Sequence, residues 1–133
     1  MKYWKSCKYQ VAEDEIFQTD FRPAVAIVTK RIELNCYGVL TVREGYAWDG
    51  TSGPVIDRDT NQTASLAHDA LYQLMRTELI DYSLWREADM EFKKLLIVNG
   101  AWRSTVWIDM AGLALAKGRA AHPKNRKKVY SAP

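Results

Sequence analysis

The residues best equipped for chemistry are His68 and Asp69, side by side, Tyr72 shortly after them, and Asp89 further along. Upstream, residues 45–54 read GYAWDGTSGP, a stretch of Gly, Asp and Ser that offers backbone carbonyls and a carboxylate. A histidine has an ordinary pKa of about 6.5, so near neutral pH it can take a proton from water. An aspartate held against its far ring nitrogen fixes the tautomer and stabilises the imidazolium. Asp69 cannot do this, because neighbours on a helix point about 100° apart. It can face the glycine-rich loop instead, where a carboxylate and several carbonyls make a hard-oxygen site suited to Ca²⁺. Such an ion would polarise an ester carbonyl and stabilise the developing oxyanion. Asp89 is left as the orienting carboxylate. Singly, each residue has an ordinary structural explanation: a hydrogen-bonded core histidine, a core tyrosine, loop acids at Asp49, Asp57 and Asp59. Their joint spacing favours a hydrolytic site.

The elements that must position these groups can be read from periodicity. Residues 1–44 are rich in β-branched and aromatic side chains that alternate with polar ones. Candidate strands cover 2–10, 15–21, 24–29, 32–36 and 39–43, with a turn at Tyr37-Gly38, so a small, mostly antiparallel sheet is expected. Residues 45–60 read as a long loop, because glycines and Pro54 interrupt any regular pattern. A helix then runs over 61–76 with Thr60 or Asn61 as its cap. Ala67, Leu71 and Leu74 form one apolar stripe on it, and His68, Tyr72 and Met75 the adjacent one. Ser83 is expected to cap a second helix, which ends before Asn99-Gly100. Its buried face is Trp85, Ala88, Phe92, Leu95 and Leu96, and Asp89 falls on that face. A carboxylate there is costly unless a partner meets it. The short connection favours an antiparallel helix pair, which would bring Asp89 to His68. The third helix, 102–116, is apolar nearly all round and is expected to be buried on several sides or to meet a partner or a lipid surface. The fold class is therefore α+β, a single domain with a β-rich part (1–44), a loop (45–60), a helical part (61–118) and a basic tail (119–133).

These motifs resemble the phospholipase A₂ superfamily in four matched places. His68-Asp69-Ala70-Leu71-Tyr72 matches its His-Asp-x-x-Tyr helix, and a glycine lies eighteen residues before the histidine, at Gly50. Ala88-Asp89-Met90-Glu91-Phe92 matches its Ala-Asp-x-x-Phe pattern, and the order of loop, helix, connection and helix is kept. The similarity is greatest to the disulfide-free, virus-type domains, and it implies phospholipase A₂-like antiparallel catalytic helices. It also implies His68 as general base, Asp89 as its orienting partner and Tyr72 as a buttress of Asp89. Asp69 would be the calcium carboxylate. The carbonyls of Trp48, Gly50 and Ser52 would complete the Ca²⁺ site, and the Gly50 amide would serve the oxyanion. The sequence departs from that family's denser glycine loop at Asp49 and Thr51, although Asp49 can add a ligand; the secreted enzymes' disulfides are absent, and the N-terminal sheet has no counterpart in the minimal lipase. Across most of its length, through GYAWDGTSGP and ASLAHDALYQLMR, the chain also resembles a family of small tailed-phage and prophage proteins without an assigned activity. That resemblance implies a bacteriophage origin.

Composition narrows the alternatives. The chain has 133 residues, 47% hydrophobic and 26% charged, enough for a core without staples. Five Trp and seven Tyr can serve a core, an interface or a membrane surface. Cys7 and Cys36 can form one bridge, but buried free thiols in a reducing compartment are the better expectation. No signal peptide or transmembrane segment is expected, which points to the host cytoplasm or the virion. Net charge is +3, and from Lys117 onward six basic residues (Lys117, Arg119, Lys124, Arg126, Lys127, Lys128) stand without an acid. An acidic body thus carries a basic tail, a solvated terminus or an attraction to anionic lipid; on the tail alone no specific nucleic acid is expected. With two histidines, no HExxH and both cysteines distant, a zinc peptidase lacks ligands. The leading expectation is a calcium-dependent phospholipid ester hydrolase from a phage, drawn to a membrane by Trp102, Trp107 and the tail. The competing one is a non-enzymatic virion or assembly component, partnered by tail or lysis proteins, with 102–116 as an oligomer interface.

Overall fold

The computed structural model describes residues 9–48, 59–100 and 103–125. It is an α+β arrangement in which an N-terminal antiparallel sheet precedes three helices. Strands β1 (Tyr9–Gln10) and β6 (Ala47–Trp48) form a two-stranded ladder. Strands β2 (Glu15–Gln18), β5 (Val39–Val42), β4 (Ile32–Leu34) and β3 (Ile27–Val28) form a four-stranded sheet in that order. The alternation sets its buried face: Ile32 pairs with Val42, and Leu34 and Phe17 both pair with Leu40, and all five side chains are buried. Leu34 and Leu40 have no exposed surface, and burying each stabilises the fold by about 1.5–3 kcal/mol.

The β4–β5 hairpin turns where Tyr37-Gly38 predicts it. The Asn35 carboxamide oxygen accepts the amides of Tyr37 and Val39, and Gly38 takes φ = 86°. A β-carbon on Gly38 would lie 2.4 Å from the Thr19 carbonyl, so both the dihedral and the close approach require glycine. Thr19 itself explains why β2 stops at Gln18 and not at Phe21. Its amide and its hydroxyl both donate to the Gly38 carbonyl, the last partner in register before the Tyr37-Gly38 turn carries β5 away, and its hydroxyl then accepts the Phe21 amide. The 24–29 run shrinks to two strand residues because Ala24 and Val25 bend on an exposed edge. Cys36, expected to be buried, is exposed in the hairpin; Cys7 lies outside the described residues. The 45–60 stretch is not loop throughout, since Ala47–Trp48 pairs with β1 and Trp48 is buried.

Helix α1 (Asp59–Arg76) begins before the expected boundary, so Thr60 and Asn61 fall in its first turn and not at its cap. Both of its predicted stripes are buried, from Ala67, Leu71 and Leu74 to His68, Tyr72 and Met75. Helix α2 (Trp85–Val98) follows a 3₁₀ turn at Tyr82–Leu84. Asp81 caps that turn, its carboxylate accepting the Ser83 amide, and α2 itself starts behind Leu84, which makes no side-chain capping bond, so Ser83 is not its cap. Of the predicted face, Ala88, Asp89, Phe92 and Leu96 are buried, while Trp85 and Leu95 are half-buried. Glu91 is buried as well, accepting the Asp20 amide at 2.8 Å and so tying α2 to the end of β2. Lys94 lies 3.2 Å from Glu91 Oε2, near enough to pair though not aligned for a hydrogen bond, and donates to Asp20.

Helices α1 and α2 meet with Tyr72 against Asp89, His68 against Phe92, and Ala64 clustered with Leu96. Later residues of α2 meet earlier residues of α1, as in an antiparallel pair. Helix α3 (Arg103–Ala116) packs Val106 and Leu113 onto α2 and leaves Trp107 and Leu115 more than 70% exposed. After α3, Gly118 adopts φ = 68° directly against the Trp85 ring, and residues 119–125 return to α1, where Ala120 accepts a bond from Arg76. Among the described residues no helix is long and apolar enough to cross a membrane.

Candidate functional site

Four of the side chains singled out by the sequence come together in two groups. The first lies between α1 and α2. His68 is buried at 6% exposure, one turn before Tyr72 and on the same face, so both side chains meet α2. Asp89 is buried at 5% on the opposing face. His68 Nε2 lies 2.7 Å from Asp89 Oδ1, and the Tyr72 hydroxyl donates to the same oxygen at 2.6 Å. A carboxylate can only accept, so the neutral imidazole bonded to it carries its proton on Nε2. The lone pair is then on Nδ1, the nitrogen that can receive a proton from water. The ring is held by packing as well: the Phe92 ring meets it edge-on at 5.3 Å and the Tyr72 ring lies 4.0 Å away. Burial, reinforced by the bond to Asp89, holds the Tyr72 hydroxyl protonated far above the ordinary phenol range. It therefore serves Asp89 as a permanent donor and not as a base.

The second group lies on the adjacent face of α1. Asp69 accepts the Tyr46 hydroxyl on Oδ2 at 2.5 Å, which joins α1 to the segment between β5 and β6. Its Oδ1 lies 3.6 Å from Arg76 Nη2, an ion-pair distance beyond hydrogen-bond reach. Arg76 is buried at 3% exposure. Its Nε donates to Gln73 and its Nη1 to the Ala120 carbonyl, while Nη2 has no hydrogen bond and is compensated by the charge of Asp69.

The calcium expectation can be set against this geometry. Asp69 is where it must be to face away from the His68–Asp89 pair, but both of its oxygens are turned toward protein donors. Trp48 is described: it is paired with Tyr9 in the ladder and its indole donates to Ser65. Asp49, Gly50 and Ser52, expected as ligands and, for Gly50, as oxyanion donor, lie outside the described residues. Among the described residues no group of three or more His, Cys, Asp or Glu side chains is arranged to hold a metal ion. Of the expected donors only Asp69 and Trp48 are described, and Asp69 is already engaged by Tyr46 and Arg76.

Two residues escaped the sequence reading. Arg76 lies two helical turns beyond Asp69, a spacing that places both on one side of α1, so a signal existed. Tyr46 had none, because its approach to Asp69 depends on how the sheet docks on the helix. Comparison with family models, with curated proteins and with solved structures found no match.

Proposed function

We propose that this protein hydrolyses carboxylic esters of phospholipids. His68 Nδ1 takes a proton from a water molecule as that water attacks the ester carbonyl. Asp89 keeps the ring oriented and stabilises the imidazolium formed in that step, and Tyr72 holds Asp89 in place. The proton then passes from Nδ1 to the departing alcohol. The observation that carries this reading is the single oxygen, Asp89 Oδ1, that receives both His68 Nε2 at 2.7 Å and the Tyr72 hydroxyl at 2.6 Å. No step is routed through calcium, because Asp69 already has protein partners.

Lipid as the substrate class is supported by the helical surface. Trp107, Leu115, Ile97 and Val98 are exposed apolar side chains on α2 and α3, and exposed Arg103, Lys117 and Arg119 lie on or just beyond α3. Exposed apolar side chains and cations on the same helical region suit an anionic bilayer. Action during phage lysis or entry belongs to the same proposal.

Fatty-acid release from vesicles of mixed bacterial phospholipids tests it, with calcium and with a chelator in parallel. The wild type releases fatty acid, and His68→Ala lowers the rate by about 10²–10⁴-fold with the fold intact by circular dichroism. No release by the wild type under either condition sinks the reading. The exposed apolar residues of α3 also favour a second one, a structural component of a phage particle that self-associates through this helix. Light scattering then gives a defined oligomer that Trp107→Lys dissociates.

A further inference from the structure

We propose that Arg76 is the resident cation of this site, and that it and Tyr46 occupy Asp69 so that the protein does not bind calcium there. The occupancy part stands on geometry alone. Its consequence, ester hydrolysis insensitive to calcium, rests on the hydrolase reading above.

Arg76 is 3% exposed, and a guanidinium removed from water needs an opposite charge and acceptors for its donors. Gln73 and Ala120 satisfy Nε and Nη1. Nη2 is buried and makes no hydrogen bond, and Asp69 is the carboxylate with which it pairs. Taking that charge away would leave a buried cation uncompensated. The position is also fixed from three sides, since Arg76 belongs to α1, Ala120 to the returning C-terminal segment and Tyr46 to the sheet.

Electrostatics sharpen the point. A calcium ion on Asp69 Oδ1 sits about 2.4 Å from that oxygen. Since Arg76 Nη2 is 3.6 Å from the same oxygen, the two cations would lie within about 6 Å of each other behind little solvent. The other oxygen, Oδ2, would have to exchange a 2.5 Å bond to Tyr46 for the metal or share it. Asp69 is thus already neutralised by the chain itself. Tyr46 and Arg76 act as positioning residues that hold the sheet, helix α1 and the C-terminal segment around the His68–Asp89 pair.

Terbium luminescence excited through tyrosine, together with calcium calorimetry, reads this without any need for turnover. The wild type shows no saturable terbium or calcium binding up to about millimolar concentration. Arg76→Gln frees Asp69 and binds either ion at least about tenfold more tightly than the wild type, and adding Asp69→Asn abolishes the gain. Saturable binding by the wild type that Asp69→Asn removes overturns the proposal. Should Arg76→Gln fail to fold, the wild type and Asp69→Asn still decide it. Since both measurements omit substrate, a protein that binds no calcium and releases no fatty acid refutes the hydrolase reading while leaving this one standing. Conversely, a protein that hydrolyses lipid and binds calcium through Asp69 refutes this one alone.

Discussion

The two aspartates of the site play opposite parts. Asp89 holds other groups: an imidazole and a phenol converge on one of its oxygens from the neighbouring helix. Asp69 is itself held, by a hydroxyl from the sheet segment and a guanidinium from its own helix. A carboxylate bonded to a phenol and an imidazole can stabilise the charge of an imidazolium that forms beside it. One that already faces a guanidinium has little left to offer a further cation. Adjacent positions on one helix, His68 and Asp69, thus feed two networks with different chemistry, one suited to moving a proton and one suited to joining elements.

Truncation of Asp89 has the largest expected effect. Asp89→Ala leaves two buried donors without an acceptor and costs about 3–5 kcal/mol in urea unfolding. Asp89→Asn keeps an acceptor and most of the stability, yet slows hydrolysis by about 10²-fold or more, because an amide does not stabilise an imidazolium. If Asn and Asp hydrolyse lipid at equal rates, Asp89 is merely structural. A matched loss of stability elsewhere supplies the contrast. Leu40→Ala opens the sheet core and costs about 2–5 kcal/mol, while lipid hydrolysis measured well below the melting point stays unchanged.

Tyr72→Phe is a smaller perturbation, removing one donor to Asp89 for about 1–2 kcal/mol. It carries its own pH signature. The Tyr72 pKa is raised in the folded protein, so its contribution is fully present below the ordinary phenol value and is lost as pH rises above it. Wild-type stability therefore falls in alkaline solution above about pH 10, and part of that fall is absent in Tyr72→Phe. Equal alkaline slopes in urea titrations of the two proteins would place the Tyr72 hydroxyl outside the network.

How much of this was legible follows from the range of each interaction. Helical spacing put His68 and Tyr72 on one face, and the apolar neighbours of Asp89 marked it as a buried carboxylate needing a partner. Those are local signals, and an antiparallel connection was enough to join them. The alternation around Leu34 and Leu40 likewise set the sheet's buried face. The Asp69 group was less legible. Arg76 lies within helical reach of Asp69, but a basic residue in a helix's last turn needs no partner to account for it, and Tyr46 is brought to Asp69 only by docking of the sheet. Strand ends are illegible for a related reason: β2 stops where its partner β5 gives way to the Tyr37-Gly38 turn, a pairing between segments far apart in the chain. A hydroxyl makes Ser83 read as a cap, but Ser83 lies inside a 3₁₀ turn capped by Asp81, and α2 starts only after Leu84 without a side-chain cap.

That cap gives the smallest expected effect and bears on the Asp89 side of the comparison, since the capped turn opens into α2. The Ser83 amide bonded to Asp81 holds its carboxyl below the ordinary carboxylate range. A depressed folded pKa contributes stability above the unfolded value and loses it as pH falls through the folded one. Asp81→Ala should therefore be slightly less stable than the wild type at neutral pH, and the difference should shrink as the solution is acidified below the ordinary carboxylate pKa. Hydrolysis should be unchanged, because the cap lies at the start of α2 while Asp89 is fixed further along by its own partners. A loss of activity in Asp81→Ala without a matching loss of stability would mean that the start of α2 sets the register in which Asp89 meets His68.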